Sequence, residues 1–487
     1  MSKDLKKETF QGFFWLFTGS SSQAALKFIV LAILARLISP EDFGLVAVTT
    51  IFLGFSKIFS QLGMGAALVQ KKEITKEHIR TAYTVSLLIG VFFCALTLLF
   101  SDNIALYFNM LELSKVLRYA SCIFIIDSFI SVSQSLLQRN LRMKHFALAD
   151  FISYLISFGV LGVFLAYLGY GVYALVYAYI LQAILKAVIL SYLEPHSIVP
   201  FFNKKSFNDL FFFGSGHTLA RIANFFANQG DNLIVGKMMS ADALGYYSNA
   251  YQLMVAPVNL IGQSLNVVLF PALASVQTDL IKVKKAYYKS IQLVAYTSFI
   301  ISSVLFINAK EIVLILLGEN WLDVIVPFQI LAVGTVFRMT SKIGDSLMTA
   351  MGDEFRRAII QIVYAICIII FSYIGHFWGI KGVAIGVVIA ILFNFILMTH
   401  FSLLQFKGNW RNFMVIYTKP FFFSVVVFTF SYLVLCVLRS INLNLIITEI
   451  IYLLLVLGFL VIVTLRFKNV LGVSNEIDSI LSKILKK

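Results

Sequence analysis

Charge is scarce in this chain, and so are proline, cysteine and long polar loops. Charged residues make up 13% of 487 positions while 60% are hydrophobic. A soluble domain could not build its surface from that balance. Seven prolines leave most helices free to run unbroken. The four cysteines, Cys94, Cys122, Cys367 and Cys436, stand singly inside apolar stretches. They form no disulfide framework and no metal-ligand spacing, so no metal site is expected. No loop between apolar stretches exceeds about 16 residues. An enzyme that cuts or joins polymers needs a water-facing site, usually on a sizeable loop or domain, and there is no room for one.

What is present is an alternation. Fourteen apolar stretches, the first near 12–36 and the last near 445–466, each approach the ~20 residues that a spanning helix needs. The chain is therefore read as an all-α integral membrane protein of about 14 transmembrane helices. The first stretch lacks a small-residue cleavage site, so it is expected to be a retained helix rather than a signal peptide. Loops on one side hold 25 Lys and Arg and those on the other hold 7. That asymmetry predicts a multi-pass protein with both termini in the cytoplasm. The net charge of +15 then reflects topology and contact with anionic lipid, and no nucleic-acid groove is implied.

Two segments look alike. Arg36-Leu-Ile-Ser39-Pro-Glu-Asp42-Phe-Gly44 and Lys237-Met-Met-Ser240-Ala-Asp-Ala-Leu-Gly245 align at one offset of 201 residues, and Gly171 and Gly379 lie in a second pair offset by about 208. Six spans separate the copies, an even number, so both halves share orientation as in parallel-repeat transporters. The reading is an N-terminal six-helix lobe (1–205), a C-terminal six-helix lobe (206–404), and two further helices with a tail (405–487).

Four cations fall in mid-span: Lys27, Lys57, Arg221 and Arg338. Facing lipid, they would cost on the order of 10 kcal/mol together, so they are expected to face water. Polar residues share their helix faces. His217, Arg221, Asn224, Asn228 and Asp231 form one stripe, and Asn249, Gln252, Asn259, Gln263 and Asn266 another. Gln23 accompanies Lys27, and Gln61 accompanies Lys57. These positions predict a polar, net-cationic cavity, with interhelical hydrogen bonding as the plainer alternative for the uncharged stripe. Asp127 is a candidate coupling site for a proton or cation. Lys342 is expected to pair with Asp345 at i, i+3, and Lys186 to snorkel to the interface. Pro257 allows a kink, and Gly54, Gly63 and Gly65 allow close packing or bending.

The run Arg36-Leu-Ile-Ser-Pro40-Glu-Asp-Phe-Gly44-Leu45, followed by Gly63-Met-Gly-Ala-Ala-Leu-Val-Gln70, resembles the start of Wzx-type polysaccharide flippases. These belong to the multidrug/oligosaccharidyl-lipid/polysaccharide (MOP) superfamily. The resemblance implies two six-helix lobes plus two helices and no catalysis. The implied cargo is undecaprenyl-diphosphate-linked oligosaccharide, carried across the bacterial cytoplasmic membrane by alternating access. It implies membrane lipid, a polysaccharide polymerase and chain-length proteins as partners, no cofactor, and a proton or sodium gradient as drive. Lipid II flippases share this chemistry, with cations on helices that line the cavity. The rival within the superfamily is a cation-coupled multidrug or metabolite antiporter, which predicts an acidic rather than a cationic mid-span set. A membrane polymerase or ligase is the rival from another class.

Overall fold

In a bilayer every backbone N–H and C=O must be satisfied within the protein, and uninterrupted helices do this locally. The computed structural model describes residues 21–61, 63–441 and 443–466, which are helical almost throughout, with no strand among them. The chain is an all-α integral membrane protein. Its helices are α1 (21–37), α2 (Pro40–Gln61), α3 (Met64–Gln70), α4 (Lys76–Phe108), α5 (Leu113–Ala120) and α6 (Cys122–Arg139). Next come α7 (Met143–Tyr154), a wider π-helical stretch (Leu155–Gly162), α8 (Val163–Tyr167), α9 (Val172–Leu193), α10 (Lys204–Met238) and α11 (Ala241–Ala274). The remainder are α12 (Leu280–Ile307), α13 (Ala309–Leu316), α14 (Ile325–Ala350), α15 (Glu354–Gly375), α16 (Gly379–Gln405), α17 (Trp410–Ser440) and α18 (Leu445–Arg466).

Starts and stops follow capping chemistry. Thr75 and His78 form a reciprocal capping box at α4, and the Asn203, Asp279 and Asn409 side chains accept from the first turns of α10, α12 and α17. Each satisfies N–H groups that a helix start leaves open. The first apolar segment after Leu111 is broken at Ser121 into α5 and α6, a break that proline scarcity does not foresee.

Ten stretches among the described residues are long and apolar enough to cross a membrane, and one of them, Glu354–Gln405, holds both α15 and α16. The two longest helices, α10 with 35 residues and α11 with 34, carry polar side chains at mid-length, Asn224, Asn228, Gln252 and Asn259 among them. Polarity in helices of that length needs a reason other than contact with lipid.

The chain forms two compact units. One consists of Met1–Ala256, Leu316–Pro327 and Ala358–Ala390, the other of Pro257–Ile315, Phe328–Arg357 and Ile391–Lys487. The division passes through α11 at Pro257, the residue whose ring removes a helical hydrogen bond. In the first unit α4 lies on α6, α6 on α9, and α10 on α2, α3 and α4. In the second, α12 packs along α17, and α17 on α18, with Phe430 and Phe459 stacked.

Inside the first unit the two similar segments touch reciprocally. A Cβ added to Gly44 would lie 1.9 Å from the Ala241 carbonyl oxygen, and one added to Gly245 would lie 2.0 Å from that of Pro40. Under the 201-residue offset, Ala241 is the counterpart of Pro40 and Gly245 of Gly44. Residue i meeting j while j meets i is the mark of a two-fold relation. The second pair agrees: Gly171 (φ 53°) and Gly379 (φ 72°) both take left-handed backbone at the start of a helix, a conformation only glycine adopts freely. Trp321 closes over the contact. Its indole N–H donates to the Ala35 carbonyl at 2.8 Å, with the Phe43 and Tyr246 rings edge-on at 5.1 and 6.0 Å.

Candidate functional site

Helix α2 carries Lys57 to within 3.7 Å of the Asp127 carboxylate on α6. That is an ion-pair distance rather than a hydrogen bond. The two side chains are 40% and 21% exposed, so the pair is in contact and still open to its surroundings. Beside Lys57, the Phe55 ring meets Phe225 and Phe226 of α10 at 5.6 and 6.1 Å. Gly54 makes that approach possible, since a Cβ there would sit 3.2 Å from Phe225. The glycine is thus a packing site, the plainer of the two readings from sequence.

One turn earlier on α10 than Phe225, Arg221 is half-buried, and Asn224 is exposed. Asn228 donates to the Asn224 carbonyl and side-chain oxygens at 2.6 and 2.9 Å. Further along, the stripe changes character. Asp231 is fully buried and accepts from the Tyr247 hydroxyl at 2.7 Å. Asn249 of α11 is buried and bonds the Gly245 carbonyl at 3.0 Å, while Gln252 is exposed. Each stripe therefore divides into a bonded, buried end and an exposed middle.

Lys27 of α1 is exposed, with Nζ 5.7 Å from the Tyr154 ring centre, a cation–π geometry. Gln23, one turn before it, is half-buried. Lys27 lies within electrostatic reach of Asp150 and Lys186, and those two pair directly at 2.6 Å. Lys186 is thus held by a carboxylate of its own rather than snorkelling alone. Asp150 has no mark in the sequence apart from lying at a similar depth on the preceding span.

The second unit holds the other cations. Arg338 of α14 is buried, 9% exposed, and Lys342 lies one turn on. The Lys342 stem approaches Gly262 of α11, where an added Cβ would sit 3.7 Å from Cγ. Asp345 takes its short ion pair from Arg357, at 2.6 Å, instead of from Lys342 as the helical spacing suggests. Arg357 sits across the turn between α14 and α15 and also binds Glu354 at 2.9 Å, and its fork reaches both acids. Asn259 is exposed. The side chains of Gln61, His217, Gln263 and Asn266 lie outside the described residues.

A recess of about 850 Å³ in the first unit is lined by Lys76, Arg80, Arg139, Asn140, Glu194 and His196. Its cations have structural duties. Arg139 donates to the carbonyls of Leu68, Lys71 and Lys72, and Arg80 to that of Val199. Arg142 and Asn140 hold Glu194. Burial pushes the His196 imidazole below its ordinary value. The loops at the end of α3 and α9 are tied down by these bonds.

Residues 33–326, more than half of the chain, match the family model described as "Polysaccharide biosynthesis protein". An uncharacterized membrane protein in the cps region of Klebsiella pneumoniae is 27% identical over 87% of this chain and 87% of its own length. The lipopolysaccharide biosynthesis protein WzxC of Escherichia coli is 23% identical over 90% of this chain and 89% of its own. Among solved structures, the lipid II flippase MurJ in an inward closed conformation superposes with a TM-score of 0.74 at 16% identity. That match covers 93% of this chain and 99% of MurJ.

Proposed function

We infer from one premise, that the chain belongs to the polysaccharide biosynthesis protein family, that it is a flippase and not an enzyme. It moves undecaprenyl-diphosphate-linked oligosaccharide from the inner to the outer leaflet of the bacterial cytoplasmic membrane, for export of a surface polysaccharide. The observation that carries the reading is the polarity of α10 and α11. The mid-helix amides Asn224, Gln252 and Asn259 of these long helices are exposed. Exposed amides at that depth are stable against water or a polar cargo and costly against acyl chains.

The chemistry fits such a head group. Lys57, Arg221, Lys27 and Arg338 offer charge and donors to a diphosphate, and the amides of Asn224, Asn228, Gln252, Asn259 and Gln23 suit sugar hydroxyls. Asp127 lies opposite Lys57, so an arriving diphosphate competes with a carboxylate for the same ammonium. Exchange of one anion for the other gives binding that is neither permanent nor unassisted. The repeats 1–205 and 206–404 rock about their two-fold contact to alternate access, with 405–487 as an addition. A proton or sodium gradient drives the cycle. Both termini are cytoplasmic, and a polysaccharide polymerase and chain-length proteins act on the delivered cargo. A cation-coupled antiporter would instead want its mid-span acid uncompensated, whereas Asp127 is paired.

Lys57→Ala with Arg221→Ala abolishes export while the protein still inserts in the membrane, and lipid extracts of such cells accumulate the lipid-linked oligosaccharide on the cytoplasmic side. Full export by the double variant overturns the assignment.

A further inference from the structure

At the junction of α12, α13, α17 and α18, in the second unit, lies a cluster of polar groups apart from the mid-span cations. Glu311 of α13 is 3% exposed. The guanidinium of Arg439 on α17 donates to it twice, through Nε at 2.8 Å and Nη2 at 2.6 Å, and both bonds end on the same oxygen, Oε1. The other carboxylate oxygen, Oε2, is buried with no partner. Glu449 of α18 lies within electrostatic reach of both Glu311 and Arg439, and its Oε1 is likewise buried without a partner. Asn308, between α12 and α13, is 1% exposed. It donates its amide N–H to the Val304 carbonyl, leaving its Oδ1 buried and unpartnered. Tyr452 of α18, fully buried, bonds Ser431 of α17 and feels both glutamates and Asn308. Lys310, next to Glu311 in the chain, is exposed.

Two facts about this cluster conflict unless something further is bound. Two carboxylates, buried Glu311 and half-buried Glu449, share one guanidinium, so one negative charge is left without compensation. Three buried acceptor oxygens face the cluster with no donor. Burying a charge unpaired and burying an acceptor unbonded are both strongly unfavourable. A single proton eases both faults: it cancels the surplus charge and turns one of the carboxylate oxygens from an unbonded acceptor into a hydroxyl, while Asn308 Oδ1 stays unbonded. Carboxyl groups held together take up one proton in this way as a pair rather than as individuals.

We propose that Glu311 and Glu449, clamped by Arg439, form a proton-binding site shared between the appended helix α18 and the α13 turn. Water supplies the proton, the pair passes from two negative charges to one, and with Arg439 the cluster becomes neutral. Deprotonation puts two like charges against each other across the α13–α18 junction, so α18 is loosened from α13 when the proton leaves. The site is independent of the cargo assignment above, since it stands on charge count and burial alone.

Infrared difference spectroscopy of the purified full-length chain in lipid nanodiscs tests it. The wild type shows the carbonyl-stretch band of a protonated carboxylic acid at neutral pH, which vanishes on alkalinisation. Glu449→Gln, an isosteric mimic of the protonated state, removes that band. Glu311→Gln removes it as well, because Glu449 is then left alone with Arg439 and ionises. Persistence of the band in both variants overturns the proposal, and so does its absence from the wild type. Loss of the band when sodium chloride replaces choline chloride also overturns it, by making the occupant a metal ion. None of these readouts requires transport, so failure of the cargo assignment leaves the test intact.

Discussion

Helices α10 and α11 and helices α17 and α18 handle polar residues in opposite ways. The first two are the longest among the described residues, and Asn224, Gln252 and Asn259 at their middles are exposed. The last two are long apolar spans, and their polar groups Ser431 and Tyr452 are fully buried and bonded to each other. At Ser431 and Tyr452 polarity is hidden and spent on holding helices together. At Asn224, Gln252 and Asn259 it is displayed. The contrast teaches that the number of polar residues in a span says little until their exposure is known. Displayed polarity needs an aqueous or polar partner, whereas hidden polarity needs only its neighbours.

Substitutions sharpen that comparison. The largest effect is expected at the hidden site. Arg439→Ala leaves Glu311 buried beside Glu449 with no cation, and thermal unfolding in detergent should register a loss of about 3 kcal/mol, in the range for breaking a buried ion pair. Next comes Arg357→Ala, which strands a partly exposed Asp345. Its cost, read by the same assay, should be about 1–2 kcal/mol, because the surroundings are wetter. The smallest stability change is expected at the displayed sites. Asn224→Ala and Gln252→Ala should each stay within about 0.5 kcal/mol of wild type, while cell-surface polysaccharide falls. A displayed residue whose loss destabilises as much as Arg439→Ala would erase the distinction.

Much of the fold was legible in the chain. The lengths of the apolar runs place the helices, and the repeat near Gly44 and Gly245 predicts a relation that appears as a reciprocal contact. Spacing along α10 puts Arg221, Asn224 and Asn228 on one face because helical period alone determines it. Spacing could not say that the same face turns inward at Asp231, since that depends on Tyr247 arriving from α11. The Lys342–Asp345 expectation failed for a similar reason. Periodicity sees partners within one helix, and Arg357 comes from the next. Nor could sequence find Glu311 with Arg439, which are 128 positions apart, or Glu449 inside an otherwise apolar run. Lys57 with Asp127 was within reach of reasoning, as two opposite charges at mid-depth on different spans, but nothing in one dimension fixes which faces meet.

The crossing of Gly44 on Ala241 and Gly245 on Pro40 has a mechanical corollary. Where main chains abut with no side chain between them, dispersion is the adhesive, and a separation of about 0.5–1 Å already forfeits a quarter to a half of it. Such a clasp has almost no stretch: it is shut, or it is undone. Parting it strands no charge, so release is resisted by the clasp's own weak grip and by Trp321, which bonds Ala35 and touches Phe43 and Tyr246.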